Sequence, residues 1–308
     1  MADCGRFIMK YSHLVQARRV YEEGGNVAEY LRRFEKNGLN TETIIEIAYE
    51  LQAGTYTEAV LRNMSFWNSY TEELAGWLDD CIEPDDRVME IGCGECTTFA
   101  GIFRHIVKAA DFYCFDLSWS RIAKARQFVA QFLSPDTRKR LKLFVAEISR
   151  MPIADKSIDV LYTAHSLEPN GGHEVELLKT LFRVARKKVV LFEPHFERAS
   201  AEAQQRMASH GYVRGLEEAT ATAGGRLERV EPIRNIANPL NPTFVFEITP
   251  PASENLGIDV WACPVSGSPL TRRQNVFWCR DAGLVYPIID DIPVLRPDAA
   301  ILATAFDL

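Results

Sequence analysis

Several features that assign a chain to a special class are missing from this sequence. No apolar run approaches the roughly 18 residues that a transmembrane helix needs. The first residues, MADCGRFIMKYSH, lack the apolar core of a secretory signal peptide. The seven cysteines are an odd number without the spacing of a disulfide framework. We therefore expect a cytoplasmic protein with reduced thiols and no membrane association.

Concentrated positive charge is also missing. The 308 residues carry a formal net charge of −7, and the Lys/Arg-rich stretches at 17–19 and 138–142 are short. Nucleic-acid-binding faces are usually basic, so we expect no nucleic-acid partner. With 47% hydrophobic and 25% charged residues, the composition is that of an ordinary globular protein, and the length suits more than one domain.

Residues 1–80 have the periodicity of helices. In NTETIIEIAYELQAG (40–54), apolar residues recur three and four positions apart, and Thr43 with Glu46 suggests a capping box at the helix start. A further helix is expected in SYTEELAGWLDD (69–80). We interpret this region as a helical cap or lid.

From residue 87 onward, short apolar runs alternate with helical patterns. The runs are RVMEI (87–91), DFYCFD (111–116), LKLFVAE (141–147), SIDVLYTA (157–164), KKVVLFEP (187–194), RLERVEPI (226–233) and TFVFEITP (243–250). Such alternation predicts βαβ units, and the last two runs suggest a closing hairpin. We expect an α/β domain at 81–250 with a Rossmann-like, mostly parallel seven-stranded sheet. A linker at 249–257 then leads to a small β-rich module at 258–308.

The loop after the first predicted strand has the composition of a ligand-binding turn. In VMEIGCGECTTF (88–99), Gly92 and Gly94 remove side chains where the carboxyl end of a parallel strand faces a ligand. A dinucleotide fingerprint requires glycine where Thr97 stands, and no P-loop lysine follows. The C-x-x-C in this loop has no second ligand pair, so we expect neither a metal nor a redox role.

Acidic residues accompany the first three predicted strands. Asp116 ends the second strand, where its carboxylate can accept hydrogen bonds from ribose hydroxyls, and Glu147 ends the third, where it can accept from an adenine amino group. Glu90 lies inside the first strand, and a buried acid needs a partner. Together they suit a ligand with hydroxyls, an amine and positive charge but without phosphates.

These motifs resemble those of the class I S-adenosylmethionine (SAM)-dependent methyltransferases. VMEIGCGECT is similar to their first motif, YCFDLSWSRIAKAR to the second, and FVAEISRMPIADKSIDVLYTAHSLE to the region through the fourth strand. The likeness covers roughly residues 65–250. It implies SAM as cofactor, with S-adenosylhomocysteine as product. The cofactor-binding residues that it implies are Glu90, Gly92, Cys93, Gly94, Asp116, Leu117, Glu147, Ile148 and His165.

Four side chains near the same sheet edge are candidate bases. TAHSLEPNGGH (163–173) and EPHF (193–196) leave the fourth and fifth strands, and they contain His165, Glu168, His173 and His195. We nominate His165, Glu168 and His195 as catalytic, because a hydroxyl nucleophile needs a base near neutral pH. An amine or thiol nucleophile needs less help.

The C-terminal module resembles the small zinc-ribbon-like domains related to the activator subunit of methyltransferase complexes. YPIIDDIPVL matches their end, but CPVSG has Ser266 in place of a cysteine. Cys263 and Cys279 remain as thiols, with Asp281 as a possible third ligand, short of the usual four-ligand set. We expect a metal-free module that packs or frames the substrate.

The sequence therefore predicts methyl transfer from SAM to an oxygen or nitrogen of a small molecule, such as a natural product or glycan precursor. Candidate residues for closing the cap over the sulfonium are Tyr21, Tyr49, Gln52, Tyr56 and Trp67. The alternatives are a protein or peptide methyltransferase and a non-catalytic SAM-binding scaffold; Thr97 disfavours an NAD oxidoreductase. The oligomeric state stays open, with a homodimer as one option.

Overall fold

A seven-stranded sheet forms the centre of the fold in the computed structural model. Its strands are β1 (Arg87–Ile91), β2 (Asp111–Asp116), β3 (Leu141–Val145), β4 (Ile158–Ala164), β5 (Ala185–Pro194), β6 (Arg226–Pro232) and β7 (Thr243–Thr249). Their order is β3-β2-β1-β4-β5-β7-β6, and β7 runs antiparallel to both of its neighbours. The predicted α/β class and mostly parallel seven-stranded sheet are confirmed. The structure describes residues 13–35, 38–106, 108, 111–253 and 259–306, so part of the predicted linker lies outside the described residues.

The central strands are buried on both faces, which explains their continuous apolar runs. In β1, Met89 and Ile91 belong to one hydrophobic cluster and Val88 to the other, on the opposite side of the sheet. All three side chains are buried. Because β1 pairs in parallel with both β2 and β4, the carboxyl ends of these three strands lie at one edge of the sheet.

Eleven helices are present in the described residues, and none is long and apolar enough to cross a membrane. They are α1 (Leu14–Glu22), α2 (Val27–Arg32), α3 (Glu42–Leu51), α4 (Thr55–Arg62), α5 (Met64–Asp79), α6 (Thr97–Phe103), α7 (Trp119–Phe132), α8 (Pro135–Arg140), α9 (Glu174–Val184), α10 (Ala201–His210) and α11 (Leu216–Thr222). The predicted capping box is wrong: α3 is capped by Thr41, whose Oγ1 accepts a hydrogen bond from the amide of Ile44 at 3.4 Å.

The first three helices have a hydrophobic core of their own. Ala17 of α1, Leu31 of α2 and Ile47 of α3 belong to a cluster separate from the two clusters on the sheet. Helix α5 instead packs on α6, where a Cβ on Gly101 would lie 2.4 Å from the Thr71 side chain. We use the word cap for α1–α4, of which α1–α3 share this core, while α5 is part of the layer on the sheet.

The C-terminal residues form a small antiparallel sheet whose core is continuous with the main one. Its strands are β8 (Thr271–Arg273), β9 (Val276–Cys279), β10 (Leu284–Ile289), β11 (Ile292–Pro293) and β12 (Ile301–Leu302). Phe277 and Tyr286 belong to the same cluster as Met89 of β1. Trp261 contacts Tyr113 of β2 and Phe144 of β3, with ring centroids 5.7 and 5.0 Å apart.

Trp261→Ala is expected to lower the free energy of unfolding by about 3 kcal/mol, because deleting a large aromatic side chain from a core leaves a cavity. Since the core is shared, denaturant unfolding followed by circular dichroism should show a single transition that shifts as a whole. Val265→Ala, at a position 49% exposed, is the control and should change stability by less than about 0.5 kcal/mol. A separate early transition that leaves the main sheet folded would contradict the shared core.

Candidate functional site

A pocket lies at the carboxyl ends of β1–β4, beneath α3 and α4 of the cap. The space between its lining atoms is about 920 Å³, which includes the part open to solvent. The sequence-predicted residues that line it are Glu90, Gly92, Cys93, Asp116, Leu117, Glu147, Ile148 and His165. Gly94, Glu168, His173 and His195 are not among the lining residues.

The two glycines of the loop make room for protein side chains. Both have left-handed backbone conformations, with φ of 62° at Gly92 and 54° at Gly94. A Cβ on Gly92 would lie 2.4 Å from Cβ of Ser166, and one on Gly94 would lie 2.3 Å from Nη2 of Arg121. Any larger residue would therefore displace two side chains that border the pocket.

The thiols of the C-x-x-C lie in an apolar environment. Cys93 and Cys96 hydrogen bond with each other and with Cys114 of β2, and burial raises the pKa of all three. In the described part of the chain, no three His, Cys, Asp or Glu side chains come together as a metal site. Neutral buried thiols are poor nucleophiles and poor ligands, so these cysteines act as small packing residues.

Asp116 is held in place by the loop that it faces. Its Oδ2 accepts a hydrogen bond from the amide of Gly94 and its Oδ1 one from the amide of Ser118, both at 2.9 Å. Ser118 in turn caps α7, accepting from the amide of Arg121 at 3.1 Å. Each carboxylate oxygen can accept further bonds, so a ligand hydroxyl can still bind Asp116.

Arg121, which the sequence interpretation did not single out, is buried inside the pocket. Its Nη1 lies 3.7 Å from Oδ2 of Asp116. Its guanidinium stacks between Tyr49 of α3 and Tyr56 of α4, 4.9 and 4.7 Å from the ring centroids. The cation that these two cap tyrosines enclose in the structure is therefore an arginine of α7.

The other residues that the sequence suggested for closing the cap lie outside the pocket. Trp67 is buried and its Nε1 donates to the carbonyl of Thr97 at 2.9 Å. Tyr21 packs against the core of the cap, and Gln52 follows the last residue of α3. None of the three lines the pocket.

Helix α4 is fastened directly to the glycine loop. The Glu95 carboxylate accepts hydrogen bonds from the amides of Gly54 and Thr57, both at 2.8 Å. A carboxylate at this position satisfies the free N–H groups at the start of the helix and complements its dipole. The cap is thus closed over the loop by a buried acid of the loop itself.

Glu90 is the pocket acid with the least compensation. It is 2% exposed, and its Oε2 has no hydrogen-bond partner. Burial raises the pKa of Glu90 to about 8; the nearby Tyr162 hydroxyl, which has no hydrogen-bond partner of its own, opposes this shift, while the charge of Asp116 adds to it. A buried carboxyl in this state becomes a favourable partner for a ligand cation.

Glu147 lies at the other end of the pocket beside a second acid. Burial and the neighbouring charge of Glu42 raise the pKa of Glu147 to about 7, and Arg296 of the C-terminal module opposes the shift. Glu42 and Glu147 both line the pocket. Near neutral pH the pair can therefore offer both a hydrogen-bond donor and an acceptor to a ligand.

His165 and Glu168 form a partly buried ion pair at the end of β4. Nδ1 of His165 lies 2.9 Å from Oε2 of Glu168, and Nε2 lies 2.9 Å from Oγ1 of Thr243. Burial lowers the pKa of His165, but Glu168 raises it by more, so the net shift is upward. Burial raises the pKa of Glu168, and the opposing effects of His165, Asn241 and Tyr212 bring it below its usual value.

This pair is positioned by a carboxylate on the next strand. Glu193 of β5 accepts hydrogen bonds from the amides of Ser166, Leu167 and Glu168 at 3.0 to 3.1 Å. His165 itself has φ of 57°, an unusual conformation for a residue with a side chain. The three hydrogen bonds stabilise the strained turn.

The other two histidines lie apart from the pocket. His195 is buried between Phe244 and Phe246, and its Nε2 lies 2.8 Å from Oε1 of Glu217. His173 is exposed at the start of α9. The geometry therefore gives neither histidine access to a molecule in the pocket, and we do not carry His195 forward as a base.

In the C-terminal module, Cys263 and Cys279 have hydroxyl neighbours. Sγ of Cys263 lies 3.1 Å from the hydroxyl of Tyr286, and Sγ of Cys279 lies 3.6 Å from Oγ of Ser266. Within the described residues, Asp281 does not complete a metal-ligand group with them. The expectation of a metal-free module stays a prediction.

Comparison with known proteins gives one sequence match and several structural ones. Residues 88–188, from β1 into β5, match the family model described as a methyltransferase domain. No sequence among curated proteins matches the chain.

The structural matches include methyltransferases of low sequence identity. A chain from the complex between the Haloferax volcanii Trm112 methyltransferase activator and a candidate methyltransferase is 15% identical, with a TM-score of 0.51, covering 66% of this chain and 97% of that one. The [4+2]-cyclase SpnF is 12% identical (TM-score 0.47; 58% and 81% covered), as is a candidate methyltransferase from Bacillus halodurans C-125 (TM-score 0.46; 59% and 100% covered). The protein thus has the fold of the first of these chains and, from β1 into β5, a sequence similar to methyltransferase domains.

Proposed function

We propose that this protein is a SAM-dependent methyltransferase that acts on an oxygen or nitrogen nucleophile of a small molecule. The observation that carries the proposal is the convergence of Glu90, Asp116 and Glu147 on one pocket at the carboxyl edge of the sheet. These acids come from three consecutive segments of an α/β domain, at the edge where such sheets bind ligands. The methyltransferase-domain match over residues 88–188 supports the same reading.

The side chains that line the pocket fit the chemistry of SAM. Asp116 would accept from the ribose hydroxyls, and Glu147 with Ile148 would hold the adenine. Glu90, with its unpartnered Oε2, would face the positively charged methionine end. SAM bound there would supply a methyl group already activated by the sulfonium. The residues around it mainly align the acceptor and exclude water.

The acceptor proton would pass to His165. In the neutral tautomer with its proton on Nδ1, toward Glu168, His165 presents the lone pair of Nε2 to the Thr243 hydroxyl, 2.9 Å away. An acceptor hydroxyl can replace Thr243 as that donor and lose its proton to Nε2 as the methyl group is transferred. Coverage of the pocket by Tyr49 and Tyr56 of the cap favours a small acceptor over a protein surface.

Asp116→Asn is expected to weaken SAM and S-adenosylhomocysteine binding at least tenfold, about 1.4 kcal/mol, because the charged acceptor for the ribose is lost. Isothermal titration calorimetry measures this directly. Asp111→Asn, at the opposite end of the same strand, is the matched control and should retain wild-type affinity. NAD should not bind either protein. Absence of SAM binding to the wild type would refute the proposal.

SAM affinity is expected to increase from about pH 6.5 to 8.5, because the pKa of Glu90 is raised to about 8 in the free protein and a ligand cation favours the carboxylate. Below that pKa the carboxyl is neutral, so binding must release a proton. Calorimetry in buffers of different ionisation enthalpy counts the released protons. Glu90→Gln should abolish the release, whereas His165→Asn should retain it. If the Glu90 variant and the wild type release equal numbers of protons on binding SAM, Glu90 is not the source of the proton.

Methyl transfer to a hydroxyl acceptor is expected to accelerate above pH 6.5, because the raised pKa of His165 keeps the imidazole protonated to higher pH. His165→Asn should reduce the rate by about 100-fold or more and flatten the profile. The acceptor is found by screening small alcohols and amines for transfer from radiolabelled SAM. His173→Asn, at an exposed histidine, should behave as wild type. SAM binding without transfer to any acceptor would favour the scaffold hypothesis.

A further inference from the structure

Helix α3 has a stripe of glutamates that faces the rest of the protein. Glu42, Glu46 and Glu50 are four residues apart, which places them on one face of the helix. Glu42 accepts a hydrogen bond from Ser149, after β3, and Glu50 accepts one from Ser118, after β2. Two of the three glutamates therefore attach α3 to loops at the carboxyl edge of the sheet.

The middle glutamate is held by the C-terminal module. Nη1 of Arg296 lies 2.8 Å from Oε1 of Glu46, and Nη2 lies 3.0 Å from Oδ2 of Asp298. The side chains of Arg296 and Glu46 are only 10% and 18% exposed. Removing one partner of such a shielded pair leaves the other charge with less compensation, which costs more than at an exposed surface pair.

Backbone pairing fixes the place from which Arg296 reaches the helix. Val294 pairs in parallel with Val145 at the end of β3, and the amide of Leu295 donates to the carbonyl of Val145 at 2.8 Å. Because both segments run in the same direction from this pair, Arg296 comes level with Glu147. The guanidinium thus lies between an acid of the pocket and an acid of the cap, and its charge acts on both.

The face of α3 beside this contact is a wall of the pocket. Glu42, Ile45 and Tyr49 all line the pocket. Without Arg296, the carboxylates of Glu42, Glu46 and Glu147 would face one another with less compensating charge, and mutual repulsion would move the helix outward. The position of this wall therefore depends on a residue that does not line the pocket.

We propose that Arg296 is a positioning residue through which the C-terminal module holds α3 against the sheet and so sets the shape of the cofactor pocket. That the ligand is SAM rests on the proposed function, whereas the role of Arg296 in holding α3 does not. The module thereby gains a role in ligand binding without supplying a group that touches the ligand.

The test is hydrogen exchange of the ligand-free, full-length protein, followed by mass spectrometry, together with SAM titration. Arg296→Met should accelerate exchange of the α3 amides at least fivefold while β1 and β4 stay protected, and should raise the Kd for SAM at least fivefold. Arg296→Lys should recover most of both effects, because one charged donor remains for Glu46. Arg272→Met, at an exposed arginine of the same module, should match the wild type.

Glu46→Gln removes the charge from the same contact on the cap side, leaving a weaker neutral hydrogen bond. It should accelerate α3 exchange as well, so the test survives if Arg296→Met fails to fold. If α3 exchanges at the wild-type rate in both variants, the inference about Arg296 is wrong, while the proposed function as a SAM-dependent methyltransferase is unaffected. If the wild type binds no SAM but both variants still accelerate exchange of α3, the contact that holds α3 is supported and the proposed function is refuted. Wild-type SAM affinity in a variant with a loosened α3 would overturn the link to the pocket.

Discussion

The gathering of carboxylates at one edge of the sheet is the constraint on which the rest of the structure depends. Glu90, Asp116 and Glu147 line the pocket there, and Glu168 is buried beside it, where an uncompensated charge is costly. Asp116 has two backbone amides and Arg121, and Glu168 has His165. Glu90 has no partner at Oε2, and burial raises its pKa to about 8, so an added positive charge would favour its ionised form.

The compensating cations come from different parts of the chain. Arg121 is in α7, His165 follows β4, and Arg296 follows β11 in the C-terminal module. Each also contacts the cap or the turn that borders the pocket: Arg121 through Tyr49 and Tyr56, and Arg296 through Glu46. The groups that neutralise the acids are thus the same groups that hold the walls of the pocket together.

The sequence predicts the sheet and its binding edge well, because both are local patterns. The runs 87–91 and 111–116 coincide with β1 and β2 to the residue, since strands buried on both faces are continuous apolar runs bounded by polar residues. The glycine loop and the acids that follow it are read from spacing alone. Thr41 rather than Thr43 caps α3, because the choice between neighbouring threonines depends on backbone conformation that periodicity does not encode.

Long-range partners are where prediction from the sequence fails. The glutamates of α3 have the spacing of a solvated face, but Ser118, Ser149 and Arg296, all distant in the chain, hold that face inward. Arg121 occupies a position where a charged residue is expected to be exposed, yet two tyrosines from the cap bury it. His195 follows β5 as predicted, but the neighbouring β7 contributes Phe246 to its surroundings, which no local motif indicates.

The pairing of Val294 with Val145 also bears on the order in which the protein acquires its native contacts during synthesis. The ribosome releases the cap first, then the strands of the main sheet, and the C-terminal module after both. A nascent chain that ends before residue 294 has all seven strands and every acid of the pocket, but nothing to dock on the free side of β3. Contacts between such distant segments are the slowest to form, so α3 acquires its arginine partner only after the sheet exists. The contact between Arg296 and α3 therefore forms later than the sheet on which α3 rests.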